Sequence, residues 1–500
     1  MRPVVSPLDE ANQALVANVR PDGWRNPAPP GVYDLIAIGG GTAGLVSAVG
    51  AAGLGARVAL VERHLLGGDC LNVGCVPSKA LLRSARAAAD ANRAAQFGIR
   101  VPTAAPDFAA IMQRMRARRA TISPHDAASR LHTLGVDVYF GEARFLGTDA
   151  LDVDGQRLRF KRAVIATGGR AALPPVPGLS SVPILTNETL FSLTERPARL
   201  AVIGAGPIGC EMAQAFARFG SAVTVFDMSP RVLPREDADA AAVIEAALAR
   251  DGVVLALGVT LLDIAHARGA FRIGFQNTSG VREAAFDQVL VCAGRAPNLE
   301  QLDLTAAAVS YTTDGVQVDE RLRTSNHRIY AAGDVCSQFK FTHAADAMAR
   351  IVIHNALFFG RKRASALTIP WCTYTDPEVA HVGINQLEAR ERGPSVATIT
   401  IALADVDRAI VDDATAGFVR IHHERGRLLG CTVVASHAGE MIGEVAYAMT
   451  HKGSLSNLSA TIHPYPTQAE AFRKAGDAYR RAAVTPTVSR WLRRYFAWTR

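Results

Sequence analysis

The apolar positions of the chain repeat one alternation twice. From Tyr33 the residues read YDLIAIG, then Gly39-Gly40-Gly41-Thr42-Ala43-Gly44, then an alanine-rich helical stretch, then a second apolar run, RVALVE, ending at Glu62. Short, continuous apolar runs of this kind suit strands buried on both faces. The same order returns as RLAVIG, Gly204-Ala205-Gly206-Pro207-Ile208-Gly209, a helix, and AVTVFD ending at Asp227. Each is a βαβ unit. Ahead of the first, a helix is predicted over residues 6–20, with Ser6 as N-cap, Pro7 at the first helical position, Asp9 completing a capping box, and Leu8, Ala11, Leu15 and Val19 on one face. Pro21 ends it, and a proline-rich loop through residues 26–30 follows.

The segment Leu35 to Ala56 carries no charge and could pass for a membrane span. Its glycines argue for a nucleotide-binding turn instead. They permit a tight turn, close approach of a pyrophosphate to the backbone, and close helix-to-strand packing, while the helix N-terminus meets the phosphate charge. Gly39, Gly41 and Gly44 supply this in the first unit, and Gly204, Gly206 and Gly209 in the second. Glu62 lies 23 residues after Gly39, and Asp227 lies 23 after Gly204. Both are placed to bond a ribose hydroxyl. Two dinucleotides are therefore expected, on an α/β chain with two Rossmann-like domains. At the second site Asp227 would repel a 2′-phosphate, so NADH is expected over NADPH, with Arg231 nearby as the residue that could accept a phosphate.

Between the two units lies GGDCLNVGCVPSK, residues 67–79, with four residues separating Cys70 from Cys75. On one continuous helix their Cα atoms would stand roughly 8 to 9 Å apart, beyond the ~7 Å a disulfide tolerates. The backbone must be distorted for the two to bond, and Gly67, Gly68 and Gly74 accept unusual dihedrals. Lys79 sits one turn beyond Cys75, where its ammonium would favour a thiolate. A bare C-x4-C is also compatible with two inert, buried cysteines.

Taken whole, the thirteen residues resemble the redox-active disulfide segment of the class I pyridine nucleotide-disulfide oxidoreductases, flavoproteins that include dihydrolipoamide dehydrogenase, glutathione reductase and mercuric reductase. The resemblance runs from about Tyr33 to about Tyr479. It takes in Ala166-Thr167-Gly168-Gly169, Cys292-Ala293-Gly294-Arg295 and Tyr330-Ala331-Ala332-Gly333-Asp334. It implies FAD on the first fold and NAD(P)H on the second, with Asp334 holding the flavin ribityl chain, Thr167 and Gly168 in the first nucleotide domain, and Gly294 closing the second. It makes Cys75 the flavin-contacting thiol and Cys70 the exchanging one, and pairs Glu211 with Lys79 beside the flavin. His343 opens a helix aimed at the flavin pyrimidine edge, or is a plain capping or core histidine. The implied domains are an N-terminal helix and linker (1–30), FAD-binding (31–178 and 301–366), NAD(P)-binding (179–300), an α+β dimerisation domain (367–482) that makes the chain a homodimer, and a basic amphipathic tail (483–500). Trp371 and Cys372 are read as core or interface residues.

One motif departs from the thiol-disulfide members. The sequence closes with His463-Pro464-Tyr465-Pro466-Thr467-Gln468-Ala469-Glu470, where dihydrolipoamide dehydrogenases place a histidine base at the position of Tyr465, oriented by the glutamate corresponding to Glu470. A tyrosine pKa near 10 suits a general base poorly. Mercuric reductases also have tyrosine there. They add a C-terminal vicinal cysteine pair, whereas the last cysteine here is Cys431, and often an N-terminal C-x-x-C domain, whereas residues 1–30 hold no cysteine and so no metal capture is expected there. His463, two residues from Tyr465, is a possible substitute base or a residue shaping the turn. The expected acceptor is a thiol-bound metal ion or a small disulfide, with a dihydrolipoyl dehydrogenase-like enzyme as the nearest alternative and a slow-turnover membrane-surface redox sensor as a third reading.

Composition narrows this little further. Five hundred residues, 49% hydrophobic, build several sizeable cores. Seven cysteines are too sparse for a secreted disulfide framework, and Asp9 and Glu10 interrupt any leader following Arg2, so the cytoplasm is expected. The net charge of +8 comes with no nucleic-acid motif. At the end of the chain, VSRWLRRYFAWTR places Trp491, Leu492, Tyr495, Phe496 and Trp498 opposite Arg490, Arg493, Arg494 and Arg500 on a helical wheel. Such a face suits packing on the body or a dimer partner, or weak contact with an anionic membrane surface.

Overall fold

The computed structural model describes residues 5–102 and 105–500. Arg2, from which the leader reading starts, lies outside the described residues. The chain forms two compact units, residues 1–228 with 258–367, and residues 229–257 with 368–500.

The first unit is built on a sheet whose parallel core runs Val136–Phe140, Val58–Glu62, Val32–Ile38, Gln156–Ile165 and Ile329–Ala331. Alternate residues of each strand point to opposite faces, and both faces are covered. Leu35, Ala37, Leu60 and Val138 enter one core with the helices Thr42–Gly53 and Thr342–Leu357, while Ile36, Ile38, Val61 and Tyr139 enter the other. This explains why YDLIAIG and RVALVE carry no polar alternation. The strand Gln156–Ile165 is long enough to pair in parallel at its end and antiparallel with Ala150–Val153 at its start. A second parallel set, Ala222–Asp227, Arg199–Ile203 and Gln288–Val291, carries the other βαβ unit, flanked by the antiparallel strands Thr260–Ala267, Ala270–Asn277 and Gly280–Phe286. The expected α/β class and two-fold Rossmann-like organisation are present. The uncharged stretch Leu35 to Ala56 is strand, turn and helix, and among the described residues no helix is long and apolar enough to cross a membrane.

The first helix spans Glu10–Val19, not residues 6–20. Its N-cap is Asp9, whose carboxylate accepts from Asn12 N at 2.9 Å. A negative charge at a helix N-terminus gains from both the free N–H groups and the helix dipole, so Asp9 outcompetes the Ser6 hydroxyl. Leu8 is consequently left outside the helix and exposed, and Leu15 and Val19 carry the burial.

The second unit is α+β. Its antiparallel sheet runs Pro370–Thr373, Glu378–Gly383, Arg427–Ala435, Phe418–Glu424 and Ala397–Ala402, with the helices Ala438–Thr450, Leu455–Ala460 and Glu470–Ala482 closing one core. Buried Arg420 bridges Asp237 at 3.1 Å and Asp239, fixing the start of the helix Ala238–Arg250. Trp371 donates its indole N–H to Glu236 at 2.7 Å. The final helix runs Pro486–Trp498, capped by Thr485, and has no buried residue.

Candidate redox-active site

The two glycine turns are near copies. Gly39 and Gly204 have φ of +108° and +109°, left-handed values that favour glycine. A Cβ on Gly44 would stand 1.8 Å from Gly39 O, and one on Gly209 would stand 1.9 Å from Gly204 O, so only glycine lets each helix start this close to its strand. Gly41 and Gly206 are N-caps without a side-chain capping bond, and a Cβ on Gly206 would meet nothing within 4 Å. Unblocked backbone N–H groups at a helix N-terminus fit a pyrophosphate. Each strand-end acid folds back on its turn, with Glu62 accepting from Gly40 N at 2.5 Å and Asp227 from Ala205 N at 2.6 Å. Glu62 also accepts from His64 N at 2.5 Å, and burial pushes its carboxyl up.

The C-x4-C segment departs from a single helix as its geometry requires. Cys70 lies in the short helix Gly68–Asn72, and Cys75 opens a separate helix, Cys75–Arg93. Gly67 and Gly68 are left-handed, at φ +89° and +54°, and bring Gly68 against Gly41 of the first glycine turn. The break falls at Val73 and Gly74, where a Cβ on Gly74 would stand 2.7 Å from Asp69 O. All seven cysteines are free thiols. Cys70 and Cys75 share a hydrogen bond. That bond, the Thr342 hydroxyl and the Lys79 charge together outweigh burial and bring the Cys75 thiol down to about 6. The bond to Cys75 and burial push Cys70 the other way. One thiol of the pair is thus set up as the thiolate.

Lys79 Nζ meets Glu211 Oε2 at 2.8 Å, with the glutamate almost fully buried. Thr342 Oγ1 is 3.3 Å from Cys75 Sγ, at the first position of the helix Thr342–Leu357. His343 follows it and stacks on Phe341, with ring centroids 5.4 Å apart. Thr167 donates to Asn298 O at 2.7 Å, and Gly168 O accepts from Asn298 N at 3.0 Å, so these two motifs are knitted through Asn298. Gly294, at φ +130°, leads into Arg295, whose guanidinium bonds Asp69, Gly169 O at 2.7 Å and Asp334 at 3.1 Å. Burial lifts the Asp334 carboxyl above its usual range, against the pull of Arg295 and Lys340.

Residues 33–349 match the profile of the pyridine nucleotide-disulphide oxidoreductases, and residues 369–476 match the dimerisation domain of the same group. The chain belongs to the pyridine nucleotide-disulphide oxidoreductase family. It is 34% identical over 448 residues to the mercuric reductase of Staphylococcus aureus, covering 89% of this chain and 82% of that protein. It is 30% identical over 463 residues to the dihydrolipoyl dehydrogenase of Bacillus subtilis, covering 89% of this chain and 97% of that protein. Among solved structures it is similar to a Cu(II) complex of the HOCl-induced flavoprotein disulfide reductase RclA from Escherichia coli, with a TM-score of 0.79, 28% identity, and coverage of 89% of this chain and 99% of that one. The chain is accordingly an FAD-dependent oxidoreductase that uses a pyridine nucleotide and carries the family's dimerisation domain.

In this disulphide oxidoreductase the closing motif has its own wiring. Tyr465, 71% exposed, donates its hydroxyl to Asp407 Oδ2 at 3.0 Å, and that carboxylate raises the phenol above its ordinary pKa. Glu470 is buried and pairs with Arg473 through Oε1, while the Tyr465 hydroxyl bonds Asp407. The His463 ring faces Glu444 at 3.0 and 3.1 Å through Nε2, and Thr461 O at 3.1 Å through Nδ1. Both ring nitrogens of His463 thus lie within hydrogen-bond distance of an acceptor, and the tautomer decides which of them donates.

Several members of the site were not legible beforehand. Thr342 lies 267 residues from Cys75, and no local motif connects them. The first helix also has a task here. Arg119, buried, donates to Asn72 O at 2.5 Å and to Asn12 Oδ1 at 2.6 Å, and Leu66 N donates to Val19 O at 3.2 Å. The residues before the first glycine turn therefore brace the backbone of the cysteine segment.

Proposed function

We propose that this enzyme carries two electrons from NADH through FAD and the Cys70/Cys75 pair to a soft metal ion held by thiolates, as in mercuric reductases. In this reading FAD, when bound, accepts hydride from the nicotinamide and hands its electrons to the cysteine pair. Gly39, Gly41, Gly44, Glu62, Thr167, Gly168 and Asp334 would hold that cofactor, and Gly204, Gly206, Gly209, Asp227 and Gly294 the nicotinamide dinucleotide. Cys75 serves as the flavin-side thiolate, next to Lys79 and its partner Glu211, and Cys70 as the exchanging thiol. The electrons balance, since one NADH yields NAD+, a proton and the two electrons that take Hg(II) to Hg(0).

The observation that carries the choice of acceptor is the state of the closing motif. Exchange with a dithiol or disulfide needs a base to move the thiol proton. The Tyr465 phenol donates to Asp407, and that carboxylate raises the phenol further above neutral pH. Position 465 therefore supplies no base at neutral pH, whereas a thiolate-bound soft metal ion needs no proton at that point, and thiolates are its preferred ligands. The mercuric reductase relatives and the Cu(II) complex of RclA support the same class. The dihydrolipoyl dehydrogenase likeness supports the second reading, a small disulfide as acceptor.

NADH is proposed over NADPH because the Asp227 carboxylate closes the second glycine turn, and Arg231 bonds Pro234 O at 2.9 Å. The dimerisation-domain match supports a homodimer, and the sparse cysteine content of the sequence suits the cytoplasm. Steady-state oxidation of NADH and NADPH is to be compared with Hg(II) plus excess small thiol, Cu(II), lipoamide, glutathione disulfide and a quinone. Fastest turnover with NADH and a thiol-bound metal is expected. Turnover on lipoamide alone would overturn the acceptor assignment, and a strong NADPH preference would overturn the cofactor assignment.

A further inference from the structure

The charge of this protein is concentrated at one place. After Asp477 the sequence holds six arginines and no acidic residue, so six of the net eight positive charges fall in the last 23 residues. Most of those residues form the helix Pro486–Trp498, and two of the chain's four tryptophans lie on it. Its apolar side is uncovered, with Trp491 69%, Tyr495 55%, Phe496 55% and Trp498 83% exposed. Arg490, Arg493 and Arg494 occupy the opposite side. A 13-residue helix is marginal in water unless something covers its apolar face.

We propose that this helix docks on an anionic lipid surface, lying in the interface with its aromatic side toward the acyl chains and its arginines at the headgroup phosphates. Charge complementarity selects that occupant. The ligand must be apolar below and negative at the rim, and an anionic bilayer offers both within one helix diameter. A second copy of the chain does not. Pairing two such helices would bring like charges together, and apart from these residues the chain carries a net charge of +2, so it offers the arginines no net negative partner. Nucleic acid would satisfy the arginines and leave Trp491, Tyr495, Phe496 and Trp498 in water. Tryptophan and tyrosine on the apolar side, each with a polar N–H or O–H, belong at the water–lipid boundary. The proposal is independent of the acceptor chosen above, since it involves none of the cysteine, glycine-turn or closing-motif residues.

The test uses the full-length FAD-loaded enzyme and sedimentation with vesicles, either pure phosphatidylcholine or equal parts phosphatidylcholine and phosphatidylglycerol. Binding to the anionic vesicles alone is expected, with a blue shift of tryptophan emission and release at high salt. The variant Arg490→Gln/Arg493→Gln/Arg494→Gln should bind about 100-fold more weakly, and Trp491→Ser/Phe496→Ser should lose the blue shift. NADH oxidation with a soluble acceptor should be unchanged in both, which shows that they are folded. Failure of the wild type to bind anionic vesicles, equal binding to neutral vesicles, or a lipid-free self-association that depends on Trp491 and Phe496 would overturn the proposal.

Discussion

Replacing Thr342 by valine keeps the shape of the residue beside Cys75 and removes the hydroxyl 3.3 Å from the sulfur. A hydrogen bond to a charged group contributes roughly 1.5–3 kcal/mol. Since about 1.36 kcal/mol corresponds to one pKa unit, its loss should raise the Cys75 thiol by about 1–2 units. The starting value is about 6, so the variant should titrate near 7 to 8, and its thiolate fraction at neutral pH should fall from roughly nine-tenths to between a half and a tenth. Because the reactive form is the deprotonated one, turnover should fall most between pH 6 and about 7.5 and recover above about pH 9. The assay is a pH titration of the thiolate–flavin charge-transfer absorbance in the reduced, FAD-loaded enzyme, with the rate of iodoacetamide alkylation as a second readout. Thr342→Ser restores the hydroxyl and should return the midpoint towards that of the wild type. An unchanged midpoint in Thr342→Val, or a serine variant shifted as far as the valine one, would refute the role assigned to the hydroxyl.

Three further outcomes follow from the same geometry. Tyr465→His should raise turnover on lipoamide at least tenfold, as expected of a positioned base, and an unchanged rate in a stopped or steady-state assay would show that the closing motif does not limit disulfide exchange. Gly44→Ala should abolish FAD retention, measured as flavin absorbance per polypeptide after gel filtration, because its Cβ would stand 1.8 Å from Gly39 O; a fully loaded variant would contradict the turn geometry. Arg119→Met leaves Asn72 O and Asn12 Oδ1 without their buried donor, at about 1–3 kcal/mol each, so thermal unfolding should begin several degrees lower and the cysteine segment should exchange its amide hydrogens faster; an unchanged melting profile would remove the bracing role of the first helix.

What could be seen in advance was whatever chemistry compresses into local order. The glycine turns and their acids at fixed spacing, and the cysteines with Lys79 one turn on, all lie within a few dozen residues and show themselves in one reading of the chain. The family match later confirmed the fold that they implied. The break between the helices of Cys70 and Cys75 was legible for a different reason, because one continuous helix would hold the two sulfurs apart. What stayed hidden were contacts between distant segments. Thr342 on Cys75, Arg295 joining Asp69 to Asp334, and Asn12 reaching Asn72 through Arg119 depend on tertiary packing and leave no periodic trace. Ser6-Pro7 has the form of a cap, but the Asp9 carboxylate is the stronger acceptor, so the first helix starts later than the pattern predicts. The partners of His463, Glu444 and Thr461 O, likewise come from the fold and not from the motif.

The most direct test of the electron path is the stoichiometry of metal reduction. The purified, FAD-loaded enzyme is given NADH and Hg(II) in excess small thiol, and mercury vapour is collected while NADH absorbance is followed. One Hg(0) released per NADH consumed is expected, with release abolished in Cys70→Ser and Cys75→Ser. NADH oxidation without mercury release, or release that survives loss of either cysteine, would contradict transfer through this pair to a thiolate-bound metal ion.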